Sequence, residues 1–469
     1  MPFRPDSGSL KKSLKEGKKS AKNPKSIEDI LEKALEAKGL EPFESAALIH
    51  APASLNLPIF SAAKRVKEKI YGRRIVLFAP LYISNSCINN CLYCGFRSGN
   101  PSLRRILLTK EEVAKEAEAI LSEGHKRILL VASEDPRLNG KALAEYIRAA
   151  YEARSGKSNI RRINVNAAPM PTEDFKELKS AGIGTYQCFQ ETYDENIYAS
   201  AHPSGPKRDF RNRIDAMERA FSAGIDDLGF GALFGLADWR FDALALLSHG
   251  FYFDKEYGVG PHTLSVPRIE PAENAPLSLR PPHSLPDQDF KRLIAVFRLS
   301  MPYTGMILST RESAEMRNEC FHLGISQISS HSRTNPGGYS GSQLPVSSSQ
   351  HPAAGSQFEV SDSRTTDEVV ASLLKDGFLP SFCTSCYRSG RTGDAFMALA
   401  KKGLIQDFCQ PNAILTFQEY VSDYGSARVK NLWKERIKEE LGRIKNTKRR
   451  AHAREKLEVI KNGKRDLFF

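Results

Sequence analysis

Between Arg74 and Thr334, short apolar runs alternate with stretches of helical periodicity. The runs fall at 75–81, 127–132, 162–167, 183–189, 227–234, 262–266, 303–308 and 325–329, each short enough to be a strand. Segments 110–124, 172–181 and 209–223 place apolar residues on one helical face, and several close on a glycine suited to a C-cap. A strand followed by a helix, eight times over, predicts an α/β fold and matches a (β/α)8 TIM-type barrel. A doubly wound open sheet has the same periodicity, so the pattern leaves both open.

The flanks read differently. Residues 1–25 are lysine-rich and lack an apolar face, which predicts a basic, flexible N-terminus. Residues 26–72 form a helical lead-in, with Ser26 a fitting N-cap for a helix over 28–38. The barrel then occupies 73–336, and a Gly/Ser/Pro/Gln-rich surface loop without periodicity covers 337–358. A helical C-terminal domain fills 359–469. From Arg428 onward it reads as one long charged helix with Glu/Lys pairs at helical spacing, the signature of a solvated face.

At 469 residues the chain can bury a large core. No apolar run reaches the length of a membrane span, and no secretory apolar segment follows Met1, so no membrane association is expected. The net charge of +13 sits at the ends: residues 1–26 carry +6 and 426–469 carry +9, leaving the body near −2. Basic ends could bind nucleic acid, but no aromatic-interleaved basic motif accompanies them, and solvated ends around a nearly neutral body account for the charge.

The eight cysteines change the picture most. They divide into Cys87/Cys91/Cys94, Cys383/Cys386/Cys409, and the ungrouped Cys188 and Cys320. Odd-numbered groups argue against paired disulfides and for a reducing compartment, whether cytoplasm or an organelle such as a hydrogenosome or plastid. Three thiolates separated by three and then two residues can hold three irons of a cubane cluster, leaving the fourth open. A structural zinc site normally closes with four ligands instead. Cys87 follows directly on the first strand, and in a barrel such loops build the active site. Cys188 and Cys320 fit no group and read as small buried hydrophobes.

The segment Cys87-Ile-Asn-Asn-Cys91-Leu-Tyr-Cys94 resembles the cluster loop of the radical S-adenosylmethionine (SAM) enzymes. The resemblance implies a 4Fe-4S cluster whose open iron binds SAM and generates a 5′-deoxyadenosyl radical. Tyr93 matches the aromatic near the adenine in that superfamily. Glu134 matches the acidic residue that meets the methionyl amino group, although Ser133 stands where glycine is usual; Glu134 could equally complement a helix dipole.

The segments Gly184–Tyr193, Gly231–Gly235, Gly260–Arg268 and Ile307–Glu312 narrow the likeness to the aromatic-amino-acid lyases, which include the thiazole-forming tyrosine lyase. Cys383-Thr-Ser-Cys386 through Met397, and Phe408-Cys409 through Tyr420, are similar to the HydG family of tyrosine lyases that mature FeFe-hydrogenase. That likeness implies cleavage of L-tyrosine to p-cresol and dehydroglycine. It further implies conversion of the fragment to carbon monoxide and cyanide, and other hydrogenase maturation proteins as partners.

By position, Cys383, Cys386 and Cys409 would hold a second iron–sulfur cluster with a labile iron that His262 contacts. Imidazole suits ferrous iron, and a histidine at a strand end is expected to face the barrel mouth; a core histidine bonded to a carbonyl is the alternative. Arg268 and Arg311 are candidates for the substrate carboxylate, and either could be an ordinary ion pair. Gln190 is a candidate for orienting the phenol. Two departures from the family bear on the substrate: His331 replaces a glycine and is expected to fill space near the pocket, and Ala237 replaces a tyrosine. Two other activities stay open, a sister lyase that stops at dehydroglycine and a non-catalytic iron–sulfur scaffold.

Overall fold

A computed structural model describes residues 2–341 and 355–469, so much of the loop expected over 337–358 lies outside the described residues. Eight parallel strands form the centre: β1 (Arg74–Tyr82), β2 (Arg127–Val131), β3 (Arg162–Asn166), β4 (Tyr186–Gln187), β5 (Leu228–Gly231), β6 (Thr263–Ser265), β7 (Gly305–Leu308) and β8 (Gln327–Ser329). Each overlaps one of the eight apolar runs. β1 pairs with β8 from Val76↔Gln327 to Phe78↔Ser329, so the sheet closes into a barrel. That closure decides what periodicity left open.

The barrel is partly polar inside, with polar groups set among Phe78, Leu129 and Ile307. In β3 the buried Ile163 and Val165 alternate with Arg162, Asn164 and Asn166, and both Arg162 and Asn166 line internal cavities. Barrels of this class usually fill the centre with branched apolar side chains. Here the neighbouring strands contribute Gln187, Ser265 and Ser329, with glycine wherever a polar neighbour crosses. A Cβ on Gly229 would lie 2.5 Å from Gln187 Cγ, and one on Gly305 would lie 2.7 Å from Gln327 Nε2.

A ninth strand, β9 (Leu379–Ser381), pairs with the start of β1 at Arg74–Val76. Val76 also pairs with Gln327, so β8 and β9 occupy opposite edges of β1. Farther along, β2 takes the β9 edge at Ala79–Tyr82. Three residues containing a proline carry too little pattern to predict a strand, yet an edge position tolerates Pro380. β9 draws the last fifth of the chain to the barrel floor.

The N-terminus is helical, where mobility was expected. Helix α1 (Ser7–Ser20) is capped by Asp6, whose side chain accepts from Gly8 and Ser9 N–H. Leu10, Leu14, Gly17 and Ala21 recur at helical spacing and give the apolar stripe that the lysines obscure. Gly17 lies so close to helix α2 (Pro42–His50), beyond the lead-in helix, that a Cβ would approach Ala46 to 2.6 Å. Ahead of α1, Phe3 stacks on His249 at 4.4 Å and its N–H donates to Glu218.

Smaller differences have local causes. The lead-in helix starts at Pro24 with Asn23 as its cap, because proline favours the first turn; Ser26 lies inside it. The C-terminal tail is two helices, Ala427–Gly442 and Thr447–Lys461. Their inner faces bury Trp433, Leu457 and Ile460, so only the outer faces are solvated. The helix Thr366–Lys375 reaches Asn318 and His125 on the barrel's outer layer. It takes the place of the eighth barrel helix, so the boundary drawn at 359 precedes the barrel's last element. Among the described residues no single helix is long and apolar enough to cross a membrane.

Gly17→Leu should displace α1 from α2, costing about 2 kcal/mol by overpacking. Limited trypsinolysis at the α1 lysines, compared with wild type, checks this: the variant should be cleaved faster there.

Candidate active site

Two groups of thiols occupy opposite ends of the barrel. Cys87, Cys91 and Cys94 sit in the loop after β1, at the C-terminal face. The loop is pinned by backbone bonds from Ile88 N to Glu134 O, Leu92 N to Ala201 O and Gly95 N to Gln357 O. All three thiols line one cavity of about 140 Å³ together with Ser133, Glu134 and Tyr93. Burial pushes the Cys91 thiol up to about 12 and Cys94 up to about 11, so metal must displace their protons to bind. No disulfide joins them. Among the described residues no three His, Cys, Asp or Glu side chains lie close enough to share one ion. A cubane cluster places each thiolate on its own iron, and three thiols on one wall fit that demand.

The supporting residues are specific. Glu134 accepts from Asn89 Nδ2 at 2.6 Å and precedes the nearest helix by six residues, so it complements the cavity and not a helix dipole. Ser133 keeps φ outside the left-handed region and bonds Ser84 Oγ at 2.9 Å, so serine takes the glycine's place without strain. Tyr93 Oη lies 2.7 Å from His202 Nε2, while His202 Nδ1 lies 2.7 Å from the Tyr198 carbonyl. The carbonyl requires Nδ1 to carry the proton, so Tyr93 donates and is fixed in place.

A second cavity of about 100 Å³ runs down into the barrel past Phe78, Leu129 and Ile307. It shares Val131, Asn166, Phe189, Pro267, Arg311 and Gln357 with the first, so the two are continuous. Arg311 faces both. Its guanidinium lies 3.4 Å over the Phe358 ring and makes a long 3.5 Å contact to the Arg268 carbonyl. Arg268 is engaged elsewhere, bidentate to Glu312 and 2.7 Å from Asp287, in a different cavity. It is the ordinary ion pair of the two candidates.

Gln190 also falls outside the cavity: along this extended segment Phe189 points in, and the buried Gln190 side chain points out. His331 does not fill the pocket either. Its φ of 49° turns it outward, 3.3 Å from Glu123, while Ser332 takes the inward position. That left-handed backbone is a conformation glycine adopts freely. Ala237 is buried beside Asp238 and lines none of these cavities.

Lys207 and Arg213 carry no local signal in the sequence. Both line the upper cavity, and both pair with Glu191, whose Oε1 lies 2.6 Å from Lys207 Nζ and 3.2 Å from Arg213 Nη2. Two cations on one carboxylate leave a positive surplus beside the thiols. Only the spatial path of the chain brings these three together.

At the barrel floor Cys383, Cys386 and Cys409 line a smaller cavity with His262. Cys383 follows β9, and Cys409 is on the helix Gln406–Asp423. His262 precedes β6, so it faces the floor and not the mouth. Its Nδ1 lies 3.2 Å from Asp227 Oδ1, leaving Nε2 to the cavity, and its ring packs on Phe396. Although burial opposes it, His262 and Arg162 hold the Asp227 carboxyl well below the usual range. A hydrogen bond from Cys409 holds the Cys386 thiol down to about 5 against burial, with help from Arg391 and Arg74. Arg74 and Arg127 add cationic charge to a donor set of three thiols and one imidazole. Cys188 and Cys320 are buried and line neither thiol cavity.

Residues 81–243 match the radical SAM superfamily, and residues 265–379 match the biotin and thiamin synthesis associated domain. The 2-iminoacetate synthase of Salmonella typhimurium is 33% identical over 76% of this chain and 90% of its own. A crystal structure of HydG, a maturase of the [FeFe]-hydrogenase, superposes with a TM-score of 0.93 at 43% identity, covering 99% of both chains. HydG from Carboxydothermus hydrogenoformans gives 0.80 at 39% identity, covering 97% of this chain and 98% of that one.

Asp227→Asn would leave Arg162 buried beside a neutral amide, at a cost of about 3 kcal/mol near pH 7. A carboxyl held low stabilises the fold fully above the ordinary aspartate range, about 4, and loses that contribution as pH falls through its lowered value. Melting temperatures of wild type and variant should therefore differ above about pH 4 and converge as pH falls below it.

Proposed function

Because the chain belongs to the radical SAM family that contains 2-iminoacetate synthase and HydG, we propose that it cleaves L-tyrosine and builds diatomic ligands for [FeFe]-hydrogenase. The observation that carries this reading is the pair of thiol-lined sites at the two ends of one barrel. A lyase that stopped after one cleavage would have no use for the second set.

A 4Fe-4S cluster held by Cys87, Cys91 and Cys94, with SAM, supplies the radical that removes a hydrogen atom from the substrate. The chain's own residues do the rest. When SAM is bound, Glu134 would accept hydrogen bonds from its ammonium, and Lys207 and Arg213 would pair with its carboxylate. Tyr93, fixed by His202, would pack beside its adenine.

Arg311 pairs with the tyrosine carboxylate, since an unpaired charge in this largely closed cavity would be costly to either partner. Phe78, Leu129 and Ile307 exclude water around the aromatic ring. Breaking the Cα–Cβ bond leaves dehydroglycine, an imine carrying the carboxylate, and a 4-hydroxybenzyl radical that takes one electron from a low-potential reductant and one proton to become p-cresol. When the carbon–carbon bond of dehydroglycine breaks, its carbon–nitrogen unit leaves as cyanide, its carboxylate carbon as carbon monoxide, and the second carboxylate oxygen with the two imine hydrogens as water.

On this reading the fragment crosses the barrel from the cavity lined by Phe78, Leu129 and Gln187 to the one lined by Gln327 and Arg127. There Cys383, Cys386 and Cys409 would hold the second cluster. His262, beside Asp227, would contact a labile iron that takes up the products as cargo.

Two variants test this division of labour. Cys383→Ala with Cys386→Ala should keep p-cresol formation near wild type while carbon monoxide disappears, as measured by chromatography and haemoglobin trapping. Arg311→Ala should lower kcat/KM for tyrosine by about a hundredfold, the scale of a lost charge-assisted pair, with SAM affinity unchanged. Equal loss of both products in the cysteine variant would reject the lower site as a separate station.

A further inference from the structure

Residues 356–359 cross the barrel mouth just beyond the glycine- and serine-rich loop. Three backbone bonds and one from a side chain fix them: Gly95 N donates to Gln357 O, Gln357 N to Thr334 O, Glu359 N to Pro271 O, and the Thr334 hydroxyl to Phe358 O. The crossing is close. A Cβ on Gly95 would come within 2.4 Å of Ser356 O, so the residue after Cys94 can only be glycine here. One short segment therefore joins the cluster loop to the loops that follow β6 and β8.

Its two central side chains line the substrate site. Phe358 is buried and lies face-on to the Arg311 guanidinium at 3.4 Å, a cation–π contact on the one arginine facing both upper cavities. Gln357 accepts the Tyr82 hydroxyl at 2.8 Å through Oε1, which leaves its amide N–H2 as a donor. Gln357 also lines both cavities, so that donor stands where they meet.

We propose that Gln357 and Phe358 position the amino-acid substrate: Phe358 holds Arg311 toward the carboxylate, and Gln357 donates a hydrogen bond to the substrate's amino-acid end. The inference rests on the tyrosine-lyase reading and adds to it. Because Gln357 is tied to Gly95, the register of the substrate against the cluster loop is set by a segment from outside the barrel strands.

The test uses the full-length, iron-reconstituted protein. Wild type, Phe358→Leu, Phe358→Tyr and Gln357→Leu are compared for p-cresol kinetics, SAM affinity by calorimetry, and the electron paramagnetic resonance signal of the reduced cluster with SAM. Phe358→Leu and Gln357→Leu should each raise the KM for tyrosine about tenfold with a smaller change in kcat. SAM affinity should stay unchanged, and Phe358→Tyr should restore the wild-type KM. Both leucine variants should also make more 5′-deoxyadenosine per p-cresol, because a loosely held substrate misses the radical. An unchanged tyrosine KM in both variants would overturn the inference, as would parallel loss of SAM affinity and the cluster signal. A wild type that makes no p-cresol would instead reject the lyase reading itself, and with it this role.

Discussion

The structure depends on how strand β1 shares its edges. One edge pairs with β9 over Arg74–Val76 and then with β2 over Ala79–Tyr82, while the other closes the barrel against β8. The first cysteine group follows the end of β1, and the second follows β9 at its beginning. A strand rises about 3.3 Å per residue, so the nine residues of β1 span roughly 26 Å of barrel wall between the edge where β9 pairs and the loop that carries Cys87. Backbone hydrogen bonds thus fix the distance between two chemistries, and neither site can drift without breaking the barrel wall.

That spacing is useful only if the barrel is not filled. Strand β3 shows how this is done, turning Arg162, Asn164 and Asn166 inward and Ile163 and Val165 outward to the helices. Each inward group is tied to neighbours: Arg162 to Asp227 and Thr185, and Asn164 to Arg162 and Thr185 N–H. Satisfied polar groups cost little to bury. Charge is distributed by function along the axis. A cationic surplus at Lys207 and Arg213 lies beside the upper thiols, Arg311 stands alone below it, and Arg74 and Arg127 surround the lower thiols. Each marks a place where an anionic group can come to rest.

Much of this was legible in the sequence because it is local. The eight apolar runs became the eight strands, and the spacing of Cys87, Cys91 and Cys94 already placed a site at the end of the first. What escaped depends on the path of the chain in space. Nothing local distinguishes Arg268, held by Glu312, from Arg311, which faces the cavity. His262 was expected at the mouth and lies at the floor, because one residue separates the start of a strand from its approach. β9 is too short to carry a pattern, yet it determines where the second cysteine group sits. The α1 stripe of Leu10, Leu14, Gly17 and Ala21 was hidden by lysines whose charges face solvent.

The central claim is that one substrate molecule supplies both ends of this barrel. Anaerobic turnover of the reconstituted protein with uniformly ¹³C-labelled tyrosine, SAM and a low-potential reductant, followed by infrared spectroscopy and p-cresol quantitation, tests it most directly. The account predicts labelled p-cresol together with carbonyl and cyanide bands that shift with the label. Labelled p-cresol with no carbonyl or cyanide band would contradict it and leave a lyase whose second thiol site serves another purpose.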